Sequence, residues 1–235
     1  MNTFDKKCVC IIGARKGSKR LPGKNRLPLC GKPLYRHTLN AALTSDLFES
    51  IVFTTDDDLI VKELEGEERV LIDHRPVDMA NDTATMMDVV FDLMERHRDV
   101  FIGIDHLCIL TPCNPFRGAE QIRTAYGLIV EHQGNALMSI TEFPFPPELA
   151  LDIERQRVCR SWNGPARPAN YRKRFYPNGA VIIVNRNYFR QYRDFYPRDT
   201  IGFILGWPEC IDIDLPEDYE LARLIMENRY RPDPV

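Results

Sequence analysis

The chain has 235 residues, of which 44% are hydrophobic and 28% charged, and its formal net charge is −3. This length suits a single domain, 1–235, with a buried core, and the composition excludes the disordered and fibrous classes. The mildly acidic balance argues against broad nucleic-acid binding, which needs an extended basic face.

Apolar runs alternate with amphipathic segments along the chain. The run at 8–14, Cys-Val-Cys-Ile-Ile-Gly-Ala, is typical of a buried strand in a mainly parallel sheet. Pro33 suits the first turn of the helix that follows. In chain order we predict strands at 8–14, 50–55, 69–72, 106–110, 136–140, 179–184 and 201–206, and helices at 33–43, after 56–58, 85–97, 118–131, 187–192 and 216–229. This alternation predicts an α/β fold, with a Rossmann-like, mostly parallel sheet covered by helices on both faces.

A polar loop at 75–85 contains Arg75-Pro76 and the run Ala-Asn-Asp-Thr-Ala-Thr at 80–85. Its backbone groups and hydroxyls could bind a base or a ribose. The alternative is a helix cap: we expect Asp82 or Thr83 to cap the helix at 85–97. In the same way, we expect the aspartates at 56–58 to cap the helix that follows them.

Residues 143–177 break the alternation, because they are rich in proline, glycine and other turn residues. Loops of this length are usually functional or mobile. We therefore predict an inserted segment that serves as a lid, a subdomain or a dimer arm, with a long surface loop as the alternative.

The first seven residues contain no apolar run typical of a signal peptide, and no stretch approaches the roughly 18–20 apolar residues of a membrane span. Seven cysteines are scattered without a C-x-x-C pair. They are typical of reduced thiols, and those at 8, 10 and 108 lie in apolar runs that predict core positions. We expect a cytoplasmic protein without membrane or nucleic-acid partners.

A cation-rich loop, 15–26, follows the first predicted strand and carries six lysines and arginines in twelve residues. In open α/β sheets ligands bind where strands end, and such a loop can neutralise a nucleoside triphosphate. Gly17 and Gly23 permit close backbone approach. The alternative is a solvated basic loop. The spacing between the two glycines does not match a Walker loop, and the dinucleotide fingerprint G-x-G-x-x-G is absent.

The segment Ile211-Asp212-Ile213-Asp214 precedes the last predicted helix. Residues two apart in an extended segment point the same way, so Asp212 and Asp214 would share one face. Carboxylates of this kind suit Mg²⁺ bound beside substrate phosphates. The alternative is that Asp214 or Glu217 favours the positive end of the helix. Asn178, before another strand, could bind a polar substrate or make a turn.

These segments, in this order, resemble the CMP-sugar synthetase family, and most closely the acylneuraminate (sialic acid) cytidylyltransferases. The resemblance covers nearly the whole chain. It rests on Ala14–Asn25 (Ala-Arg-Lys-Gly-Ser-Lys-Arg-Leu-Pro-Gly-Lys-Asn), Gly31–Leu34, Thr54–Asp56, Arg75-Pro76, Asp82–Ala84, Asn178–Ala180 and Ile211–Asp214.

The resemblance implies a fold of the nucleotide-diphospho-sugar transferase type and a set of site residues. CTP would be bound by Arg15, Ser18, Lys19, Lys24, Asn25, Arg75, Ala84 and Met86. Catalysis would rest on Arg15, Lys24, Asp212 and Asp214, of which the two aspartates would hold Mg²⁺. The acceptor would be bound by Thr111, Arg167, Tyr176 and Asn178. The resemblance also implies a homodimer formed through the inserted segment, 143–175.

Three departures from the family pattern lie on the acceptor side or next to the nucleoside. Thr111 stands where the family has Gln, Tyr176-Pro177 stands where it has Arg-Pro or Arg-Arg, and Met86 stands where it has Ser. Such changes alter which acceptor groups can be paired, and unpaired buried groups discriminate strongly.

The expected reaction is attack by an acceptor hydroxyl on the α-phosphorus of CTP, with release of pyrophosphate. Asp214 could also take the attacking proton, which the sequence leaves open. The expected acceptor is a sialic-acid-like nonulosonic acid. The alternatives are Kdo, legionaminic or pseudaminic acid, or a phosphonate, and a protein that binds CTP without turnover.

Overall fold

The computed structural model describes residues 7–160 and 172–229 of the chain. Its centre is a seven-stranded sheet formed by β1 (Cys8–Gly13), β4 (Ser50–Thr55), β5 (Val70–His74), β6 (His106–Leu110), β7 (Ala136–Glu142), β10 (Phe175–Asn185) and β11 (Ile201–Ile204). Two short hairpins add β2 (Pro28–Leu29) with β3 (Lys32–Pro33), and β8 (Leu151–Glu154) with β9 (Arg157–Arg160).

The strand order is β11-β7-β10-β6-β1-β4-β5. Only β10 runs antiparallel to its neighbours, β6 and β7, while the other adjacent pairs are parallel. From β1 the chain moves outward through β4 and β5, and it then crosses to β6 on the other side of β1. The carboxyl ends of β1 and β6 therefore flank a topological switch point, where open sheets of this type bind ligands.

Helices cover both faces of the sheet, as predicted. They are α1 (Leu34–Ser45), α2 (Asp58–Leu64), α3 (Met86–Arg96), α4 (Ala119–His132), α5 (Arg186–Tyr192) and α6 (Pro216–Arg229). Alternate residues of β1 point to opposite faces: Cys8, Cys10 and Ile12 pack with α1, α2 and α4, while Val9 and Ile11 pack with α3. A strand that is buried on both faces must be apolar throughout, which explains the continuous run at 8–13.

The predicted core positions of Cys8, Cys10 and Cys108 are confirmed, because none of the three is accessible to solvent. Burial raises the pKa of each thiol, so the three remain protonated and unreactive.

A third, smaller apolar cluster joins the two ends of the chain. It contains Leu29 and Leu34 from the first fifty residues, Ile211 and Ile213 from the late segment, and Ala222 from α6. Both isoleucines are buried, so the residues between and after them face away from the cluster. This packing anchors the segment that carries Asp212 and Asp214 beside the beginning of α1.

Several predicted boundaries were wrong. β10 begins at Phe175 rather than at 179, so Tyr176 and Asn178 lie inside a strand, next to an irregularity in its pairing between Pro177 and Ile182. Gly179 adopts φ +73° at this irregularity, a conformation that glycine tolerates best. Pro177 argued against a strand at this position in the sequence, because proline is normally confined to strand edges and bulges.

The inserted segment remains a prediction in part, since residues 161–171 lie outside the described residues. The described portion contains a 3₁₀ turn, Pro147–Leu149, and the β8–β9 hairpin. Within the described residues, no helix has the length and apolar character needed to cross a membrane.

The cap of α3 also differs from the prediction. Thr85 is the N-cap, and its side-chain oxygen accepts from the backbone nitrogen of Asp88, whose carboxylate accepts in return from the nitrogen of Thr85. This reciprocal pairing is a capping box. Asp82 instead forms ion pairs with the cation-rich loop, and Thr83 bonds to Asn81.

Replacing Thr85 with Ala removes the acceptor of the cap, so we expect the free energy of unfolding to fall by about 1 kcal/mol. The control is Thr83→Ala, at a position where the sequence pattern suggested a cap, and it should change stability by less than about 0.5 kcal/mol. Urea denaturation followed by circular dichroism measures both. Equal losses in the two variants would contradict this assignment of the cap.

Candidate functional site

A cleft of about 520 Å³ opens at the carboxyl ends of β1 and β6. Its wall brings together the loop after β1, the polar loop before α3, the loop after β6 and the late aspartate segment. It is lined by Gly13, Arg15, Ser18, Lys19, Arg20, Lys24, Asn25, Arg75, Met79, Asn81, Asp82, Ala84, Thr85, Met86, Val89, Thr111, Pro112, Cys113 and Asp214. All eight residues predicted to bind CTP are among them.

The cation-rich loop is tied down by its own polar groups. The amide of Asn25 donates to the backbone oxygen of Arg15 at 2.9 Å, and the backbone nitrogen of Lys16 donates to Asp56 at 2.6 Å. Gly23 has φ 68° where the 3₁₀ turn Lys24–Arg26 begins, and this backbone conformation favours glycine. The loop is therefore held in a defined shape at the end of β1.

Arg15 and Lys19 converge on one carboxylate across the cleft. Arg15 Nη1 lies 3.1 Å from Asp82 Oδ1, and Lys19 Nζ lies 2.5 Å from Asp82 Oδ2. The hydrogen bond and charge of Lys19, followed by those of Arg15, lower the pKa of Asp82. The pair of cations thus sits at the mouth of the cleft, where an anionic ligand can reach them.

The loop also meets the late aspartate segment. Lys24 Nζ donates to the backbone oxygen of Ile213 at 2.9 Å and to Asp214 Oδ1 at 3.0 Å, and Arg20 Nη2 donates to Asp214 Oδ2 at 2.7 Å. Partial burial acts to raise the pKa of Asp214, but Lys24 and Arg20 outweigh it, so the pKa is lowered. The two segments that the sequence pattern assigned to a triphosphate and a metal therefore share one cleft.

Asp212 lies beside Asp214, but it forms no ion pair with the described residues and, unlike Asp214, does not line the cleft. More than a third of the residue is accessible to solvent, yet its carboxyl group is desolvated and receives a hydrogen bond from the Cys113 thiol. Desolvation, and then the negative charge of Asp214, raise the pKa of Asp212. Burial, followed by the charge of Asp212, also raises the pKa of Cys113 to about 12.

The opposite end of the cleft is built around Arg75. This residue is 8% exposed, and its Nε and Nη2 donate to the hydroxyl and backbone oxygen of Thr54 at 3.3 and 3.2 Å. A Cβ added to Gly13 would lie 2.6 Å from Met86 Cε and 2.7 Å from Arg75 Nη2. A larger residue at the end of β1 would therefore require the ends of these two side chains to shift.

The residues predicted to bind the acceptor, unlike those predicted to bind CTP, do not all line the cleft. Thr111 lines the cleft, but its hydroxyl lies within hydrogen-bonding distance of Asn114 Oδ1 and of the backbone oxygen of Gly179. Tyr176 and Asn178 are not among the lining residues. Desolvation, and then the charges of Cys210 and Asp212, raise the pKa of the Tyr176 hydroxyl. Arg167 lies outside the described residues.

Asn178 is 6% exposed, and only one of the two polar atoms of its side chain has hydrogen-bond partners in the part of the chain that the structure describes. Its Oδ1 accepts from Ser139 Oγ at 2.5 Å and from the backbone nitrogen of Ala180 at 3.1 Å. Its Nδ2 is buried and finds no hydrogen-bond partner among the described residues. A buried donor without a partner is costly, so this amide calls for an explanation beyond its contacts within the described residues.

Two buried polar residues that the sequence reasoning did not single out organise the site. Asn114 is fully buried, and its Nδ2 donates to the backbone oxygens of Ile211 at 3.0 Å and Asn178 at 3.4 Å. It therefore links the loop after β6, strand β10 and the aspartate segment. No local pattern distinguishes it, since asparagine before proline is ordinarily read as a turn.

Arg117 is the second organising residue and is 1% exposed. It donates to the backbone oxygens of Ala180 and Thr111 and to the Thr38 hydroxyl, each at 3.0 Å. Burial lowers the pKa of its guanidinium to about 10. These hydrogen bonds offset part of the loss of water, although Nη1 is buried without a partner among the described residues, and they fix α1, the loop after β6 and β10 together.

A basic loop in contact with an aspartate segment at the switch point of a mostly parallel sheet is typical of a nucleotide-binding α/β protein, and the comparisons with known proteins specify the class. The sequence profile of the cytidylyltransferase family matches residues 9–124. The Legionella pneumophila CMP-N,N'-diacetyllegionaminic acid synthase is 32% identical over 223 residues, which are 93% of this chain and 96% of that protein. The chain belongs to the CMP-sugar synthetase family of cytidylyltransferases.

Two further relatives are more distant. The chain is 28% identical over 232 residues to the N-acylneuraminate cytidylyltransferase of Escherichia coli, and this match covers 96% of the chain but 53% of that protein. It thus spans about half the length of that relative. The pseudaminic acid cytidylyltransferase of Campylobacter jejuni is 26% identical, over 93% of the chain and 96% of that protein.

Two solved structures share the fold. A CMP:2-keto-3-deoxy-manno-octonic acid synthetase complexed with CTP superposes with a TM-score of 0.69 at 18% identity, covering 95% of this chain and 99% of that chain. The 4-diphosphocytidyl-2C-methyl-D-erythritol synthase of Anaerococcus prevotii gives a TM-score of 0.66 at 14% identity, covering 94% and 96%. The expected fold of the nucleotide-sugar transferase type is confirmed.

Replacing Asn114 with Ala removes the link among three segments and leaves the backbone oxygen of Ile211 without its side-chain donor. We expect the free energy of unfolding to fall by about 2 kcal/mol or more, because buried polar groups lose their partners. Asn228→Ala, at an exposed position of α6, is the matched control and should change stability by less than about 0.5 kcal/mol. If guanidinium denaturation gave the two variants the same midpoint, Asn114 would have no organising role.

Proposed function

We propose that this protein transfers CMP from CTP to a nonulosonic acid and releases pyrophosphate. One observation carries the proposal: Lys24 and Arg20 meet Asp214 in the cleft that Arg15 and Arg75 also line. Cations for a triphosphate and a carboxylate for its metal ion are thus supplied side by side in one ligand-sized space. The names of the relatives support the same chemistry, since each joins CMP, or a cytidylyl group, to a sugar acid.

The cleft has a polarity that suits CTP. Arg75, Ala84 and Met86 form an end with few free charges, which suits the cytosine and ribose. Arg15, Ser18, Lys19, Lys24 and Asn25 form the cationic end, which suits the triphosphate. This orientation directs the α-phosphate toward the aspartate segment and the acceptor side of the cleft.

In the proposed reaction a hydroxyl oxygen of the acceptor forms a bond to the α-phosphorus, and the bond from that phosphorus to the pyrophosphate oxygen breaks. Arg15 and Lys24 stabilise the negative charge that develops on the leaving pyrophosphate. Much of the remaining acceleration comes from holding acceptor and phosphate in line, as in other phosphoryl-type transfers. The loop is suited to this task because its backbone is fixed by Asn25 and Asp56.

Asp212 and Asp214 are the residues that would hold Mg²⁺, and their chemistry fits this ion. Carboxylate oxygens are its preferred protein ligands beside substrate phosphates. Desolvation and the neighbouring charge of Asp214 disfavour the ionised form of Asp212, so a cation placed against it offsets both effects. When bound, the ion polarises the α-phosphate and neutralises part of the phosphate charge.

The residues on the acceptor side favour an acceptor different from the one bound by relatives with glutamine at position 111. The Thr111 hydroxyl is occupied by contacts within the protein, so it supplies the acceptor with less than a free amide would. Among the described residues of this region, the buried Nδ2 of Asn178 is a donor without a partner. Arg167 stays a predicted acceptor residue.

The test is a screen of acceptors for pyrophosphate release by the purified protein with CTP and Mg²⁺. The panel contains N-acetylneuraminic, legionaminic, pseudaminic and eight-carbon ulosonic acids, together with a phosphonate. We expect release with at least one nonulosonic acid and formation of the corresponding CMP-sugar, detected by mass spectrometry. Binding of CTP without release by any acceptor would instead favour a nucleotide-binding protein without turnover.

A variant of the carboxylate pair tests the mechanism. We expect Asp212→Asn to lower the rate of pyrophosphate release by roughly 100-fold or more, because a ligand of the ion that stabilises transition-state charge is weakened. Asp99→Asn, at an exposed position after α3, should retain the wild-type rate. Near-normal turnover by Asp212→Asn would remove the aspartate pair from the mechanism.

We also propose that two copies associate through the inserted segment. Leu151, Ile153 and Val158 lie on one face of the β8–β9 hairpin, since Ile153 pairs with Val158, and they are 55%, 74% and 63% exposed. A two-stranded hairpin is marginally stable alone and normally packs its apolar face on a partner. We place the dimer in the cytoplasm, where thiols such as Cys30 and Cys113 stay reduced.

Replacing Ile153 with Asp places a charge in the centre of this apolar face, so we expect the protein to become monomeric. The matched control, Glu154→Gln, lies on the opposite face of the same strand and should leave the dimer intact. Size-exclusion chromatography with light scattering distinguishes one chain of 27.3 kDa from two. A wild-type protein that elutes as a monomer would refute the proposed dimer.

A further inference from the structure

A buried polar network lies behind Arg75. Asp73 on β5 is 2% exposed, and its carboxylate accepts from Arg96 Nη1 at 2.5 Å and Nη2 at 3.2 Å, with His97 Nε2 at 2.9 Å. Thr54 on β4, which is fully buried, donates its hydroxyl proton to Asp73 Oδ2 at 2.7 Å. No sequence motif pointed to this network, because its members come from separate elements.

The network controls the direction of a single hydroxyl group. A carboxylate accepts hydrogen bonds but cannot donate, so the Thr54 proton must point toward Asp73. The Thr54 oxygen then presents its lone pairs to Arg75 Nε, 3.3 Å away. Hydrogen bonds in such a chain polarise one another, which strengthens the contact at its far end.

Arg75 is held from two sides by this arrangement. Its Nη2 also donates to the Thr54 backbone oxygen, and the same nitrogen approaches Gly13, where a Cβ would come within 2.7 Å. Burial lowers the pKa of Arg75, and the negative charges of Asp56 and Asp73 counteract this effect. Asp73 therefore adds a favourable charge interaction to the orientation that Thr54 imposes on the guanidinium.

We propose that Asp73 is a positioning residue for nucleotide binding, which acts through Thr54 to fix the Arg75 guanidinium against the nucleoside end of CTP. This inference rests on the proposed function, since it assigns a role within the same cleft. Asp73 itself does not line the cleft. Its effect is on the affinity for CTP, because the chemistry takes place at the opposite end of the cleft.

The experiment measures CTP affinity by isothermal titration calorimetry, without acceptor, and KM and kcat by pyrophosphate release. We expect Asp73→Asn and Thr54→Val to raise the Kd and KM for CTP about tenfold, as expected for loss of a hydrogen bond to a charged group. Their kcat at saturating CTP should stay within about threefold of the wild type. Thr54→Ser, which keeps the hydroxyl, should restore the affinity to within about twofold.

The matched control is Asp92→Asn. Asp92 also binds Arg96, at 2.7 Å, but it does not contact Thr54. This variant therefore disturbs the same arginine without affecting the hydroxyl, and CTP affinity should be unchanged. Thermal unfolding of every variant shows whether it is folded, and if Asp73→Asn fails to fold, the comparison of Thr54→Val with Thr54→Ser decides.

Two outcomes would overturn the inference in distinguishable ways. If the wild type binds CTP and Asp73→Asn and Thr54→Val bind it equally well despite a lower melting temperature, the network is purely structural. If the wild type does not bind CTP at all, the proposed function fails together with this role of Asp73.

Discussion

The contact of Lys24 with the segment Ile213-Asp214 joins parts of the chain that are 190 residues apart in sequence. Its ammonium group donates to a backbone oxygen and a carboxylate oxygen at once, and its side chain is 16% exposed. In such a partly buried setting an ion pair is screened less than at the surface. The geometry of the cleft depends on this contact, because it fixes the distance between the cationic loop and the carboxylates.

Apolar packing alone could not fix the geometry of the contact between Lys24 and Asp214. The cluster under α6 brings Ile211 and Ile213 to the right region, but hydrophobic packing is not directional. The directional constraints come from Asn114 and Arg117, whose hydrogen bonds reach backbone oxygens on three neighbouring segments. Each of these buried groups is costly when unpaired, so alternative placements of the loops are disfavoured. The polar interior thus specifies the geometry that the apolar core stabilises.

Features with a local cause could be predicted from the sequence. The buried run of β1, the helices on both faces and the cationic loop all follow from composition and periodicity. The alternation at 211–214 predicted that two aspartates share one face, and the structure buries the two isoleucines of the other face. The start of β10 and the cap of α3 were wrong, because proline masked a strand and several capping residues were adjacent. Asp73, Asn114 and Arg117 could not be found, since their roles depend on partners brought close only by the fold.

The antiparallel direction of β10 brings a late part of the chain to the edge of the sheet where β1 and β6 end. Because this strand runs against its neighbours, its first residues emerge at the same edge as the last residues of β1 and β6. The segment between Glu142 and Phe175 therefore leaves from and returns to the rim of the cleft, and its sequence can diverge while β1, β4 and β5 keep their packing. Under the proposed function, changes within this excursion would alter the rim of the cleft and leave the strands beneath the nucleotide side undisturbed.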